Sequence, residues 1–248
     1  MMKRFMDDYK SESFDILVIG GGITGAAVAY DAASRGLSVA LVEKNDFGWA
    51  TSAATSKVIH GGLRYLKTFE FGLVRESLNE RRIMGNIAPN FVYPTPFMFV
   101  NPTFVMKVGL FVYDFLAFDK KFTWDKSKKI PNHYPLSREE VIERVPNVKR
   151  EGLQGARVYY DSLNIFPERL TLTFLKSAIH YGARVSNYTK VEDFFTTEGN
   201  KVSGIVVRDL VNNRSHTIKG KLTINCSGPW ADIVLKLAKK GDSQDKIR

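Results

Sequence analysis

Residues 14–43, FDILVIGGGITGAAVAYDAASRGLSVALVE, predict a strand, a tight glycine turn, a helix and a second strand. The apolar run at 14–19 is rich in β-forming residues and ends at three consecutive glycines. Residues 23–35 then carry alanines at helical spacing, and Gly36 follows them. A second apolar run at 38–42 closes a βαβ unit, whose two strands are most simply parallel. We therefore expect a parallel α/β sheet that other elements cover on both faces.

The glycine turn has the spacing G-x-G-x-x-G at Gly20, Gly22 and Gly25. In this pattern the first glycine permits the tight turn, the second lets a pyrophosphate approach the backbone, and the third lets the helix pack on the strand. Glu43 ends the second strand, where a carboxylate accepts both ribose hydroxyls and disfavours a 2′-phosphate. The motif predicts binding of a dinucleotide such as NAD or FAD at the helix N-terminus. The alternative is an ordinary glycine turn beside an exposed Glu.

Two further segments contain candidate contacts. Thr51, Ser52 and Thr55 can hydrogen-bond phosphate or ribitol oxygens, or they can cap a helix, and the sequence leaves both uses open. Segment 60–65, HGGLRY, combines two glycines that let a flat ring approach the backbone with an imidazole, a guanidinium and a phenol. Oxidation of an alcohol needs a proton acceptor, and a phosphorylated substrate needs cationic donors. His60 as a base is therefore one hypothesis, and a hydrogen-bonded structural histidine is the other; Arg64 is either a substrate contact or a surface charge.

The later sequence predicts helices at 71–85 and 167–181, with prolines interrupting the residues between 89 and 102. Ser137 and Glu140 form a capping-box signature. Short segments separated by turn residues predict an antiparallel meander with an open edge: 184–188, 191–196, 201–210 and 216–218. A separate buried strand is expected at 221–226, followed by a helix at 231–240.

Composition narrows the class of protein. The 248 residues carry a net charge of +10 and a single cysteine, Cys226, which excludes an intramolecular disulfide framework and a multi-cysteine zinc site and indicates a reducing compartment. Residues 1–14 lack the apolar core of a signal peptide, so we expect a cytoplasmic protein. No helix-turn-helix, RNP or zinc-finger pattern is present, and we predict neither nucleic-acid binding nor a metal site.

The longest apolar stretch, 104–118, is too short to span a bilayer and contains Lys107 and Asp114. A basic run follows it directly, at Lys120, Lys121, Lys126, Lys128 and Lys129. This combination is typical of a segment that lies on an anionic lipid surface, although a solvated charged face gives the same pattern.

The stretch 14–66, which runs through IHGGLRYL, resembles the amino-terminal region of FAD-dependent glycerol-3-phosphate dehydrogenases, the quinone-reducing respiratory family. The resemblance continues at 70–96, in Tyr159-Tyr160-Asp161 with Arg169-Leu170, and in NCSGPW at 225–230. It covers nearly the whole chain.

The resemblance implies a D-amino-acid-oxidase-like flavoprotein: an α/β protein with a Rossmann-like parallel sheet, an antiparallel β-meander and an inserted, incomplete substrate domain. It implies oxidation of sn-glycerol 3-phosphate to dihydroxyacetone phosphate, with electrons passing to membrane quinone. Arg64 and Tyr65 would face the substrate, and His60 is the hypothetical proton acceptor. The residues implied to bind FAD are Gly20, Gly22, Gly25, Glu43, Lys44, Thr51, Ser52, Thr55, Gly61, Gly62, Leu63 and Gly228.

The predicted organisation is a tail at 1–13, an FAD-binding region at 14–90, a substrate- and membrane-facing insertion at 91–160, a return to the FAD domain at 161–240 and a tail at 241–248. Because the family continues well beyond the GPW segment, we expect the chain alone to bind FAD weakly and to turn over poorly or not at all. We expect peripheral attachment to the cytoplasmic membrane. The sequence leaves open whether the chain forms a homodimer. The alternative functions are FAD-dependent oxidation of an amino acid or another 2-hydroxy acid, and a noncatalytic nucleotide-binding remnant.

Overall fold

The computed structural model describes residues 2–197 and 201–239, and the chain divides into two compact units. The larger unit comprises Met1–Thr55 and Phe166–Arg248, and the smaller comprises Ser56–Ile165. The predicted boundaries at 14, 91 and 161 remain predictions, and the predicted tail at 241–248 lies outside the described residues.

The strands, in chain order, are β1 (Ser13–Ile19), β2 (Val39–Val42), β3 (Val58–Ile59), β4 (Val92–Val100), β5 (Tyr134–Ser137), β6 (Gly155–Asn164), β7 (Arg184–Ser186), β8 (Thr189–Thr196), β9 (Val202–Asp209) and β10 (Arg214–Asn225). The helices are α1 (Ile23–Ser34), α2 (Phe71–Ile87), α3 (Phe104–Leu116), α4 (Arg138–Arg144), α5 (Pro167–His180) and α6 (Ala231–Ala238).

A six-stranded sheet in the order β7-β2-β1-β10-β9-β8 forms the larger unit. Strands β2, β1 and β10 are parallel to one another, and α1 connects β1 to β2, as the glycine motif predicts. Strands β8, β9 and the first half of β10 form an antiparallel meander. The predicted combination of a parallel sheet with an antiparallel meander is therefore confirmed.

Two strand predictions were wrong in detail. The segments expected at 216–218 and 221–226 form one strand, β10, because its first half pairs with β9 and its second half continues alongside β1. The second half is also less buried than a central strand pattern indicates, with Leu222 54% exposed. Strand β7, expected in the meander, instead pairs in parallel with β2 at the opposite edge of the sheet.

The parallel part of the sheet is buried on both faces. Leu17, Ile19, Ala40 and Val42 pack in one cluster together with the amino-terminal Phe5 and Met6 and with apolar side chains of the meander. Alternate residues of the same strands pack on the other face against the alanines of α1 and against α5. Small side chains let α1 approach the sheet closely, so the turn before α1 is held firmly in place.

The smaller unit contains an antiparallel sheet in the order β3-β6-β4, with β5 also paired to β6. The prolines expected to interrupt the chain lie inside β4, at Pro94 and Pro96. This is possible because β4 pairs only with β6, and residues two apart on a strand direct their backbone nitrogens to the same side, here the free edge. The predicted capping box is present at α4, where Ser137 and Glu140 exchange hydrogen bonds.

Helix α3 buries one side within the smaller unit, through Leu110 and Tyr113. Within residues 2–197 and 201–239, none of the helices combines the length and the apolar character that crossing a membrane requires.

Candidate functional site

The glycine turn of the larger unit leaves β1 and enters α1 with almost no free space. The Gly20 N–H donates to the Val42 carbonyl at 2.9 Å, and Gly20 has a φ of +110°. A Cβ on Gly20 would lie 2.5 Å from the Cys226 carbonyl oxygen, and one on Gly25 would lie 1.9 Å from the Gly20 carbonyl oxygen. These contacts require glycine at both positions, since real side chains do not approach backbone atoms so closely.

Glu43 lies against this turn. One carboxylate oxygen accepts the Gly21 N–H at 2.6 Å, and the other accepts the Asn45 N–H at 2.7 Å. A carboxylate has about four acceptor positions, so capacity remains on both oxygens for the two hydroxyls of a ribose. The neighbouring Lys44 is exposed.

Ser52 caps α1 from a distant position in the sequence. Its Oγ accepts the Ile23 N–H at 2.9 Å, and a Cβ on Gly22 would lie 3.0 Å from that oxygen. The structure thus shows the capping use for Ser52, whereas Thr51 and Thr55 are exposed. The first intrahelical bond runs from the Ala26 N–H to the Gly22 carbonyl. The N–H groups of Thr24 and Gly25 therefore precede the helical ladder and stay available to an anion.

Gly228 follows β10 with a φ of +55°, at the start of a short 3-10 turn. Its neighbours Cys226 and Ser227 supply the backbone atoms closest to Gly20. The larger unit therefore brings the predicted residues Gly20, Gly22, Gly25 and Glu43 together with Ser52, and places the GPW segment beside them. A tight turn, open amides and a ribose acceptor in one place fit the adenosine diphosphate part of a dinucleotide.

The smaller unit holds the segment 60–65. His60 is exposed, and none of the described residues hydrogen-bonds to its imidazole. Gly62 has a φ of +70°, and Leu63 begins a 3-10 turn. Arg64 is exposed, donates to the Tyr65 hydroxyl at 3.4 Å and lies 5.2 Å from that ring's centroid. A guanidinium so placed is available to an anionic group of a substrate.

Gly61 is the anchor of this segment. Its N–H donates to the Tyr113 hydroxyl at 2.8 Å and to Asp161 Oδ1 at 3.2 Å. A Cβ on Gly61 would lie 2.3 Å from Leu78 Cδ2 and 2.5 Å from the Tyr113 hydroxyl, so any side chain here would displace these buried groups. The backbone next to His60 is therefore fixed from the protein interior.

A buried charged network supports Gly61. Asp161 Oδ1 accepts from Arg81 Nη1 at 2.5 Å and from the Tyr113 hydroxyl at 2.6 Å, and all three side chains are almost inaccessible. Burial, together with the negative charge of Asp161, raises the pKa of Tyr113 well above its usual range. Arg81 also donates to the Tyr160 carbonyl at 2.9 Å.

Sequence reasoning missed Arg81 and Tyr113. A signal for Arg81 is present in α2, where the buried positions are Val74, Leu78 and Arg81. An arginine in the apolar stripe of a helix indicates a buried acidic partner, because an unpaired charge is very costly there. Tyr113 gives no comparable signal, since tyrosine is ordinary on the apolar face of a helix.

Together, the fold and the glycine turn define a dinucleotide-binding α/β protein. Comparison with known proteins makes the class specific: residues 15–248 match the model of the family described as "FAD dependent oxidoreductase". The chain belongs to the FAD dependent oxidoreductase family. Membership confirms the predicted D-amino-acid-oxidase-like fold and FAD as the cofactor of the family.

Similar proteins share names that agree with the resemblance. The chain is 38% identical over 247 residues to an alpha-glycerophosphate oxidase of Streptococcus pneumoniae, covering 96% of this chain and 39% of that protein. It is 40% identical over 233 residues to an aerobic glycerol-3-phosphate dehydrogenase of Staphylococcus aureus, covering 91% of this chain and 40% of that protein. The chain thus spans about two fifths of the length of these relatives.

A solved structure is also similar. The glycerol-3-phosphate dehydrogenase of Bacillus halodurans, complexed with FAD, matches with a TM-score of 0.69 and 30% identity over 92% of this chain and 37% of that one. The predicted resemblance to glycerol-3-phosphate dehydrogenases is confirmed.

Proposed function

We propose that this chain forms the FAD-binding part of an enzyme that oxidises sn-glycerol 3-phosphate to dihydroxyacetone phosphate and passes the electrons to quinone. The observation that supports this most directly is the turn at Gly20–Gly25 with Glu43 beside it, in a chain whose similar proteins are named for glycerophosphate oxidation. Oxidation of an amino acid or another 2-hydroxy acid is the alternative within the same fold.

The larger unit binds the adenosine diphosphate half of the cofactor in this proposal. The Thr24 and Gly25 amides hold phosphate oxygens at the start of α1, and Glu43 accepts the ribose hydroxyls. Lys44 and Gly228 are proposed to complete the cofactor site, and Thr51, Ser52 and Thr55 are proposed to line its ribityl and flavin part.

The smaller unit supplies the groups for flavin and substrate. Gly61, Gly62 and Leu63 present backbone to the flavin, and Arg64 and Tyr65 bind the phosphate of the substrate. Bound FAD supplies the acceptor for the hydride that leaves C2 of the substrate. His60 takes the proton of the C2 hydroxyl, so the alcohol becomes a ketone with one hydride and one proton removed.

Anaerobic bleaching of the flavin absorbance tests the reaction in the enzyme of which this chain is the proposed FAD-binding part, since the chain alone is expected to turn over poorly. We expect sn-glycerol 3-phosphate to reduce the bound flavin, whereas glycerol, proline and lactate at equal concentration do not, because only the first offers a phosphate to Arg64. His60→Asn should slow flavin reduction by about 100-fold or more while FAD stays bound. Reduction by proline or lactate with no effect of sn-glycerol 3-phosphate would contradict the proposal and favour the alternative.

A partner surface is proposed on the smaller unit. Along α3, the side chains of Phe104, Val108, Phe111 and Phe115 follow helical spacing and are exposed. Phe118, Phe122 and Trp124, which follow the helix in the chain, are also exposed. We call these seven residues the aromatic face.

Lysines border the aromatic face. Lys121, Lys126 and Lys129 are exposed, while Lys120 pairs with Asp114 at 2.8 Å and Lys128 lies 3.2 Å from the centroid of the Tyr93 ring. An exposed apolar surface with cations beside it suits an anionic lipid surface, where rings enter the interface and lysines meet headgroups. The proposed location is therefore peripheral, on the cytoplasmic membrane, where quinone is at hand.

A further inference from the structure

Two tryptophans of the larger unit form an exposed pair. The ring centroids of Trp49 and Trp230 lie 5.9 Å apart with their planes tilted by 33°. Trp49 is 55% exposed and Trp230 is 43% exposed. Indole rings are large apolar groups, and two of them in contact and open to solvent mark a surface that a ligand can cover.

The backbone around Trp49 is tied to the glycine turn. The Gly48 N–H donates to the Gly21 carbonyl at 2.9 Å. Gly48 and Ala50, on either side of Trp49, have φ values of +73° and +61°. A left-handed conformation is unfavourable for a residue such as alanine, because its Cβ comes too close to the following carbonyl oxygen. The chain therefore accepts strain at Ala50 in the loop that presents this indole.

Trp230 reaches the same place from the other side of β1. It ends the 3-10 turn that follows β10, and its backbone N–H donates to the Ser227 carbonyl at 3.1 Å. The backbone of Cys226 and Ser227 packs directly against Gly20. Strands β2 and β10 flank β1 in the sheet, and Trp49 and Trp230 follow these two strands. The indole contact thus bridges two loops that leave the sheet on either side of the strand carrying the glycine turn.

We propose that Trp49 and Trp230 form a clasp that retains FAD at the glycine turn. The inference rests on FAD binding as proposed above and assigns to these two side chains a part in slowing the release of the cofactor. By covering the diphosphate, the two rings exclude water from its hydrogen bonds to the amides of α1, and such bonds are stronger in a less polar surrounding. Neither ring takes part in the transfer of hydride or of a proton.

The rate of FAD release tests the clasp. FAD is loaded onto the purified chain, and the recovery of free-flavin fluorescence is followed after dilution. We expect Trp49→Ala and Trp230→Ala each to speed release by about tenfold or more, and Trp49→Phe to have a smaller effect because a ring remains. The matched control is Phe195→Ala, which removes a 46% exposed ring from β8 of the larger unit and should leave release unchanged.

Thermal unfolding of the cofactor-free variants separates a clasp from a structural pair. The Trp variants should unfold within about 2 °C of the parent chain without FAD, and the stabilisation gained on adding FAD should shrink. Release at the parent rate from both alanine variants would overturn the clasp while leaving FAD binding intact. If the parent chain binds no FAD at all, the proposed function fails as well, so the two failures are distinguishable.

Discussion

At the residue scale, the absence of a side chain at Gly25 is what allows α1 to begin against β1. The space that a methyl group would need is already filled by the Gly20 carbonyl oxygen, 1.9 Å from the ideal Cβ position. That carbonyl cannot move freely, because Gly20 is held by its hydrogen bond to Val42. The turn and the helix start are therefore one rigid feature, and the amides offered to a diphosphate depend on it.

Gly25→Ala should consequently weaken both folding and FAD binding. We expect a loss of about 3 kcal/mol or more in the free energy of unfolding, since the backbone must move to admit the methyl group. Urea unfolding followed by circular dichroism measures the loss, and flavin absorbance of the purified chain measures the binding. Gly85→Ala is the control: nothing lies within 4 Å of its Cβ position in α2, so stability should stay the same or rise slightly. Equal stability of the two variants would contradict this account of the turn.

The buried charge of Asp161 leads to a graded prediction. Asp161→Asn leaves the Arg81 guanidinium without its anion in a site that water hardly reaches, and we expect a loss of about 3–5 kcal/mol. Tyr113→Phe removes two hydrogen bonds, the one accepted from the Gly61 N–H and the one donated to Asp161, but no charge, and should cost about 1–3 kcal/mol. Urea unfolding of both variants at neutral pH tests the order. A smaller loss for Asp161→Asn than for Tyr113→Phe would be inconsistent with a charge held by this network.

The residues of the glycine turn could be predicted from the sequence, whereas the residues that support Gly61 could not. Glycines at fixed spacing and Glu43 are visible because each answers a local backbone requirement within one βαβ unit. The support for Gly61 comes from α2, α3 and β6, which lie far apart in the chain, and no local pattern links Arg81, Tyr113 and Asp161. Long-range networks of this kind follow from tertiary packing and are absent from a local pattern.

At the element scale, the misassigned strands share a cause. Strand β10 changes partner along its length. The sequence pattern of its first half is typical of a polar edge strand and that of its second half of a parallel strand, so the pattern predicts two elements. Strand β4 carries Pro94 and Pro96, and prolines normally argue against a strand. They are tolerated here because the edge of β4 at which their N–H groups are missing pairs with no other strand. Pairing partners, which determine both outcomes, cannot be derived from hydrophobic periodicity alone.

Asp119 connects two helical elements of the smaller unit and makes stability depend on pH. It follows α3 and accepts from Arg75 at 2.9 Å and from Arg82 at 2.8 Å, both on α2. Burial acts to raise the pKa of Asp119, but the hydrogen bonds and charges of the two arginines outweigh it, and the pKa lies below its ordinary value. A carboxylate with a lowered pKa stabilises the fold above the unfolded pKa of about 4 and loses that contribution as the pH falls further.

Asp119→Asn should therefore cost about 3 kcal/mol at neutral pH and should flatten the fall in stability below about pH 4. Unfolding midpoints in urea across this range measure both effects. Asp31→Asn is the control, because Asp31 pairs with Arg35 on the exposed side of α1, where solvent screens the pair and its contribution to stability is small. An unchanged acid profile for Asp119→Asn would show that the two arginines do not hold this carboxylate.

At the scale of the whole molecule, the proposed attachment to a membrane would depend on the net charge of +10 together with the aromatic face. Charge alone attracts the protein to any anionic surface, and apolar rings alone favour any interface. Each exposed lysine near a membrane contributes about 1 kcal/mol, and salt screens this contribution. A buried Phe contributes about 1.5–3 kcal/mol, and this term is far less sensitive to salt. The lysine and phenylalanine contributions to membrane attachment can thus be distinguished by varying the lipid composition and the salt concentration.

Sedimentation with lipid vesicles makes this separation. We expect the chain to bind vesicles of phosphatidylcholine and phosphatidylglycerol, and to bind vesicles of phosphatidylcholine alone at least about tenfold more weakly. Raising the salt from about 0.1 M to about 1 M shortens the screening length from about 10 Å to about 3 Å and should remove most of the difference. Phe104→Ser with Phe115→Ser should reduce binding to both kinds of vesicle by about tenfold or more. Phe69→Ser is the matched control, because Phe69 is 77% exposed in the same unit but lies outside the aromatic face. If the control loses as much binding as the double variant, the aromatic face is not the surface that meets the lipid.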